Sequence, residues 1–315
     1  MPAATAQNDL DFYVPRADPT GPSMSDAVNE IDSSALGTPG CSAYVYTERS
    51  YQPFIRDAFD QFSETRTGGA FTFMTGIGGF LQEFLYGYSG LRWTPQGVRL
   101  DPSLSAQLRG VTLRGLSWRG RRFTVAIGLN TTTVRLTSGA ALPVIIPAGR
   151  RTVTARRPLT LATRRPDLRP TPDAVRCARA VASSAQPGAP ALAAVDGSPA
   201  TAWQPSSLPA TLTAPVRGLR RTAVLTVRWG RQWPAAPGPN IPPPPGPVIT
   251  LRPSRYQILV SADGRRWRTV ATITRASGTL DTLRLPGLSR ARLIRVRIVA
   301  SAATQPPMLD ELSVR

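Results

Sequence analysis

Neither histidine nor lysine occurs anywhere in the 315 residues. Without histidine, Ser-His-Asp and Cys-His nucleophilic sites are excluded, and so are histidine-ligated metals. Cysteine is scarce: Cys41 and Cys177 lie far apart, in what read as separate domains, with no zinc or redox spacing. A disulfide between them is permitted by the sequence and supported by nothing in it. No apolar run reaches the length of a membrane span. The opening MPAATAQNDLDF has neither a basic nor an apolar leader region, so no signal peptide is expected in this chain.

Lacking lysine, the chain draws all 38 basic residues from arginine, for a formal net charge of +19. A basic chain raises the question of a nucleic-acid partner. Here the charge is spread along strands rather than clustered, and no nucleic-acid motif is present. An arginine-only composition rich in alanine and proline is what a GC-rich genome produces, and no nucleic-acid partner is expected. The charge is also divided. Residues 1–95 hold 5 Arg against 11 Asp and Glu; residues 96–315 hold 33 Arg against 8. That asymmetry argues for different modules, and the 32 prolines and 26 glycines argue for turn-rich β structure.

The strongest local signal is Thr67–Arg92, TGGAFTFMTGIGGFLQEFLYGYSGLR. Gly78-Gly79 precedes Phe80, Leu81, Phe84, Leu85 and Tyr88, which share one face at helical spacing. The expectation is a glycine-rich entry loop and a short core helix with Gln82 and Glu83 as its only polar members. The glycine pair there permits positive φ or close backbone approach. It is not a phosphate cradle, because the G-x-G-x-x-G spacing and a βαβ context are missing.

Upstream, residues 1–10 read as unstructured and 11–22 as a looped, proline-rich stretch. Ser23-x-x-Asp26 resembles a capping box. It opens a helix whose apolar face is Ala27, Val28, Ile31, Ala35 and Leu36, closed by Gly37 at C′. Tyr44 to about Thr65 reads as a second helical block, with Phe54, Ile55, Ala58, Phe59 and Phe62 on one stripe. A unit this short cannot bury such stripes alone, so residues 1–95 are expected to be the tail of a larger α-helical domain.

Short alternating segments over 96–150 predict a small antiparallel β domain, with a turn in Trp118–Phe123. Residues 151–172, rich in arginine and proline, predict a final strand and then a linker. A second β module covers 173–315. Its strands are expected at Thr222–Trp229, Tyr256–Ser261, Trp267–Ile273, Leu280–Leu285, Ile294–Val299 and Leu309–Val314. Asp263-Gly264 gives a hairpin signal, and Trp233–Val248, with four consecutive prolines, is an inserted loop.

Two resemblances rest on these strings. YVPRADPTGPSMSDAV, GAFTFMTGIGGFLQEFLYGYSGLR and LRGVTLRGLSWRGRRFTVAI, over about residues 11–147, resemble the C-terminal part of glycoside hydrolase family 65, closest to its acid-trehalase-type branch. AVDGSPATAW, YQILVSADGRRWRTVA, RARLIRVRIVA and the final LDELSVR, over 173–315, resemble the coagulation-factor 5/8 C-type, or discoidin-like, module. The implied fold is multidomain: the last helices of an (α/α)6 barrel, a small β-sandwich, and a discoidin-like β jelly roll. The implied function is inverting hydrolysis of an α-glucoside, most simply α,α-trehalose, with an appended carbohydrate-binding module. A non-catalytic carbohydrate-binding protein and a disaccharide phosphorylase fragment are the alternatives. The implied partner is carbohydrate, either trehalose, another α-glucoside or a polysaccharide. The implied location is extracellular.

Inverting hydrolysis needs an acid and a base carboxyl. The family's general-acid glutamate has no counterpart in this chain, which alone is expected to be inactive. Asp18 is the candidate base, with Asp26 and Glu30 behind it; its rival reading is a turn-forming Asp before Pro19. Thr20, Ser23 and Gln82 are candidate substrate contacts. Thr20 and Pro22 stand where the phosphorylases carry phosphate-binding groups, which favours water as nucleophile. No cofactor is expected for catalysis. Asp196, Thr201 and Glu311 fall where the discoidin-like family often holds a structural calcium. Trp203 and Trp267 are expected in the core, and Trp233 is a candidate sugar platform.

Overall fold

The computed structural model describes residues 2–37, 40–218, 222–234, 246–274, 276, 278–286, 288 and 290–315. It is mostly β, with four α-helices among the described residues, all in the first unit. Residues 235–245 of the expected proline-rich loop lie outside the described residues.

The first unit holds α1 (Ala3–Tyr13), α2 (Ser25–Leu36) and α3 (Ser42–Tyr51). An antiparallel meander of β1 (Ile55–Arg56), β2 (Gln61–Thr65) and β3 (Gly68–Phe71) follows. Then comes α4 (Met74–Gln82), which widens into a π turn over Glu83–Tyr88. Three expectations are corrected. Residues 1–10 are mostly helix: α1 buries Leu10 against the cluster of Val14 and Tyr46, a tertiary contact that its weak periodicity does not announce. The second helical block stops at Tyr51, because Pro53 lacks the N–H that a continuing helix needs. Phe54 and Phe62 then stack across the meander, centroids 6.1 Å apart, instead of sharing a helical stripe. Ser23 is not a cap: Met24 takes the N-cap position of α2 with no side-chain cap bond, and the Ser23 hydroxyl turns to the Ser63 carbonyl at 3.4 Å.

The face α2 buries also differs from its apolar stripe. Ala27, Glu30, Ser33 and Ser34 are inside, while Val28 is 55% exposed. Its end is as expected, with Gly37 left-handed at φ 60°. In α4 the glycine pair lies inside the helix, and the glycines that matter for close packing are two others. A Cβ on Gly76 would stand 2.4 Å from the Ser23 hydroxyl, and one on Gly87 1.8 Å from a Glu30 carboxylate oxygen.

The middle unit is a sandwich of eight strands: β4 (Arg92–Thr94), β5 (Gly97–Arg99), β6 (Gly110–Trp118), β7 (Arg121–Gly128), β8 (Thr131–Ser138), β9 (Leu142–Ile146), β10 (Gly149–Val153) and β11 (Leu159–Ala162). They form two four-stranded sheets, β10-β9-β5-β4 and β11-β8-β7-β6. Phe123, Val125 and Ile127 alternate into the core, as period two requires. Arg119 and Gly120, at φ 46° and 75°, make the two-residue turn between β6 and β7. β10 runs to Val153, and β11 is the final strand read within 151–172, ahead of the remaining arginine- and proline-rich stretch.

The last unit contains β12 (Val181–Ala182), β13 (Ala210–Pro215), β14 (Thr222–Trp229), β15 (Arg231–Gln232), β16 (Ile249–Thr250), β17 (Pro253–Ser261), β18 (Arg268–Ile273), β19 (Leu280–Pro286), β20 (Leu293–Ser301) and β21 (Leu309–Val314). A five-stranded sheet, β12-β13-β20-β17-β18, faces a three-stranded one, β19-β14-β21, across one large apolar core. Strand β13 is absent from the sequence reading. Its ATLTAP alternates weakly and ends on proline, yet it pairs with β20 along its whole length. Asp263-Gly264 sits in a wider loop than a two-residue hairpin: Asp263 Oδ1 accepts from the Arg265 and Arg266 N–H groups at 2.8 and 2.9 Å. Trp203 is core, whereas Trp267 is half-buried at the surface beneath the Arg295 guanidinium, 3.7 Å from its ring centre.

The first unit touches both others. Arg164 bonds the Asp101 carboxylate and the Ser34 carbonyl, each at 2.8 Å. The Cys41 N–H donates to the Asp196 carbonyl at 3.0 Å, and Gly188 N–H to Gln52 Oε1 at 3.1 Å.

Candidate functional site

The first and last units enclose a cleft of about 700 Å³. One wall is the turn between the 3-10 segment Val14–Arg16 and α2. There the Asp18 carboxylate accepts from the Thr20 N–H at 2.8 Å and the Thr20 hydroxyl at 2.7 Å, and its carbonyl accepts from Gly21 N–H. Asp18 is thus a turn former, as its rival reading had it, and it also lies on the cleft wall with Ser23 and Asp26. The turn is bolted to β2: Ser23 N–H donates to the Glu64 carbonyl at 2.8 Å. Thr20 is exposed beside Asp18 and occupied by it. Asp26 Oδ1 pairs with Arg49 Nε at 3.0 Å, so it is neutralised within the wall.

The opposite wall comes from the last unit, including Thr201, Gln204, Trp229, Gln232, Trp233, Gln305 and Asp310. Trp233 is not an open platform. The Arg16 guanidinium lies between it and Phe12, 4.3 and 3.6 Å from the ring centres, and ties the walls together. Burial pushes the Asp310 carboxyl up to about 8, against the opposing pull of Arg228 and Arg231. It faces the cleft as a protonated donor at neutral pH. With Asp11, Asp18, Arg66 and the glutamines, the cleft offers hydrogen-bond donors and acceptors on both walls, which suits a polyhydroxylated ligand. Apart from Thr201 and Trp233, the far wall was not legible as a site, because only the tertiary fold brings its residues to Asp18.

Gln82 lies elsewhere, exposed at the end of α4 and outside the cleft lining. Glu30 and Glu83 are fully buried beneath the wall. Glu83, a polar member of the expected core helix, is thus interior rather than solvated. Burial raises its carboxyl to about 8, offset in part by the Ser50 and Thr47 hydroxyls. Glu30 is raised well above the usual range by burial first, then by its neighbour Glu83, while the Ser34 hydroxyl donates to its Oε1 at 2.6 Å.

Asp196, Thr201 and Glu311 do come together behind the cleft. Asp196 Oδ2 accepts from the Thr201 hydroxyl at 2.7 Å, and Glu311 Oε2 accepts from Gly197 N–H at 3.3 Å. Glu311 Oε1 is buried with no hydrogen-bond partner among the described residues. Two carboxylates and a hydroxyl are the donors a hard cation takes, so the chemistry fits calcium. The Arg176 guanidinium, packed against Gly197, already supplies positive charge there. Among the described residues no group of three His, Cys, Asp or Glu is placed around a metal position.

The middle sandwich carries a family likeness. Residues 91–153 match the C-terminal domain of glycosyl hydrolase family 65. The chain is 32% identical over 276 residues to an acid trehalase of Emericella nidulans, covering 76% of this chain and 26% of that protein. It is 33% identical over 230 residues to a cell wall acid trehalase of Arthroderma benhamiae, covering 64% and 22%. A kojibiose hydrolase of Mucilaginibacter mallensis is 32% identical over 124 residues, covering 39% and 18%. The chain spans about a quarter of the length of the acid trehalases it matches. Among solved structures, chitosan-binding module 1 of a Paenibacillus chitosanase/glucanase overlays with a TM-score of 0.36 at 22% identity, covering 46% of this chain and 99% of the module. A family 32 carbohydrate-binding module of Clostridium perfringens NanJ, in complex with galactose, gives 0.32 at 18%, covering 43% and 90%. Among the described residues no helix is long and apolar enough to cross a membrane.

Proposed function

We propose that these residues supply the C-terminal part of an α-glucoside hydrolase that cleaves α,α-trehalose with inversion, and that the last sandwich adds a carbohydrate-binding surface. The observation that carries this reading is the likeness to the Emericella nidulans acid trehalase over three quarters of the chain, together with the family 65 C-terminal domain matched at residues 91–153. Asp18 is the base that activates water. It stands on the cleft, exposed, with its carboxylate oriented by Thr20. The general acid is a glutamate outside these residues, as the family resemblance implies. Phosphate is disfavoured as nucleophile because Thr20 spends its hydroxyl on Asp18 and Pro22 has no N–H to offer. An extracellular location follows the cell wall and secreted relatives. Calcium, where bound, would be held by Asp196, Thr201 and Glu311 and would tie the loop after Val195 to β21. The non-catalytic reading draws on one observation, the commitment of the Asp18 carboxylate to its own turn.

The test is a chimaera in which this chain replaces the matching segment of the Emericella nidulans acid trehalase. Glucose release from trehalose is expected to persist with Asp18 and to fall by at least about 100-fold with Asp18→Asn, the loss typical of a missing general base. Equal rates would remove Asp18 from catalysis.

A further inference from the structure

The two cysteines, remote in sequence, converge on one strip of backbone. Cys41 N–H donates to the Asp196 carbonyl at 3.0 Å, and Cys177 N–H donates to the Val195 carbonyl at 2.7 Å. Their neighbours grip the same strip. Gly40 lies so close that a Cβ there would stand 2.0 Å from the Asp196 carbonyl oxygen, and Arg176 lays its guanidinium against Gly197. Between these anchors the Cys41 and Cys177 side chains are neighbours. Both are reduced. Cys41 belongs to the first unit and is 2% exposed; Cys177 belongs to the last, is partly exposed, and borders a broad surface depression.

We propose that Cys41 and Cys177 are an oxidisable pair that forms an intramolecular disulfide between the first and last units. The oxidant is a low-molecular-weight disulfide. The more accessible Cys177 thiolate attacks one of its sulfurs, expels one thiolate and leaves a mixed disulfide. The Cys41 thiolate then attacks the Cys177 sulfur and expels the second. The protein loses two protons and two electrons, and the oxidant is recovered as two thiols. The bond would fix one wall of the cleft to the other by removing freedom from the unfolded chain.

The whole chain is incubated with oxidised glutathione, denatured, alkylated and digested with trypsin. Cys41 falls in the tryptic peptide 17–49 and Cys177 in 177–179. The expected product is those two peptides linked, in monomeric protein lighter by two hydrogens, with a melting temperature raised by several degrees. Cys177→Ser, at the less buried position, is expected to abolish both the link and the rise. The proposal is overturned if both cysteines remain alkylatable, if Cys177 stops at the glutathione adduct, or if links appear only between chains.

Discussion

The first unit and the last solve the burial problem in opposite ways. The last sandwich closes a large apolar core around Trp203, Trp229, Leu225, Ile258 and Val296, and most of its long strands announce themselves by alternation. The first unit buries Glu30, Glu83, Ser33, Ser34, Thr47 and Ser50, and leaves Val28, Phe59, Met74 and Leu81 in solvent. Its interior joins a polar network among helices to a small apolar cluster of Leu10, Val14 and Tyr46, while several of its large apolar side chains stay exposed. Stability in the sandwich therefore comes from area removed from water. In the helical unit it depends on protonation and on contacts with the other two units.

The sharpest way to break that contrast is a core truncation. Leu225→Ala, in the middle of β14 and fully buried, is expected to cost about 3 kcal/mol, measured by urea unfolding followed through tryptophan fluorescence. A cost under about 1 kcal/mol would mean that the sandwich is not the rigid half.

Next comes protonation. The Glu83 carboxyl titrates at about 8 when folded, against an ordinary 4.5. Between these values the unfolded chain has released its proton while the folded chain still holds it. Stability therefore falls as pH rises through this window, with a limiting slope of about 1.4 kcal/mol per pH unit for one group. Glu83→Gln is expected to flatten the decline, read as melting temperature against pH from 5 to 8. An unchanged slope would place the titration elsewhere.

The smallest effect expected is calcium. Millimolar calcium should raise the melting temperature of the chain by a few degrees and a chelator should reverse it, by linkage to the folded state alone. No shift in either direction would identify Arg176 as the resident counter-charge of Asp196 and Glu311.

The same contrast explains what could be read in advance. Period-two alternation placed Thr222–Trp229 and Leu309–Val314 at their observed bounds, because a strand buried on one face writes its environment into alternate residues. β13 escaped because alanine, threonine and proline carry little of that signal. In the helical unit the apolar stripe of α2 is turned, so that Ala27 is buried together with the polar Glu30, Ser33 and Ser34 while Val28 is exposed. No periodicity rule foresees a buried glutamate that pairs through burial with another one 53 positions on. The Asp18 turn was visible as Asp-Pro-Thr-Gly. Its partners across the cleft were not, since no local pattern joins residue 18 to residues 204, 233 or 305.

The claim that the cleft between these two units is the sugar site is tested most directly by titrating the ¹⁵N-labelled chain with α,α-trehalose. The account predicts that the largest amide shifts fall on Asp18–Met24 and, across the cleft, on Gln204, Gln232 and Gln305. Shifts confined to residues outside the cleft, or none at saturating sugar, would contradict it.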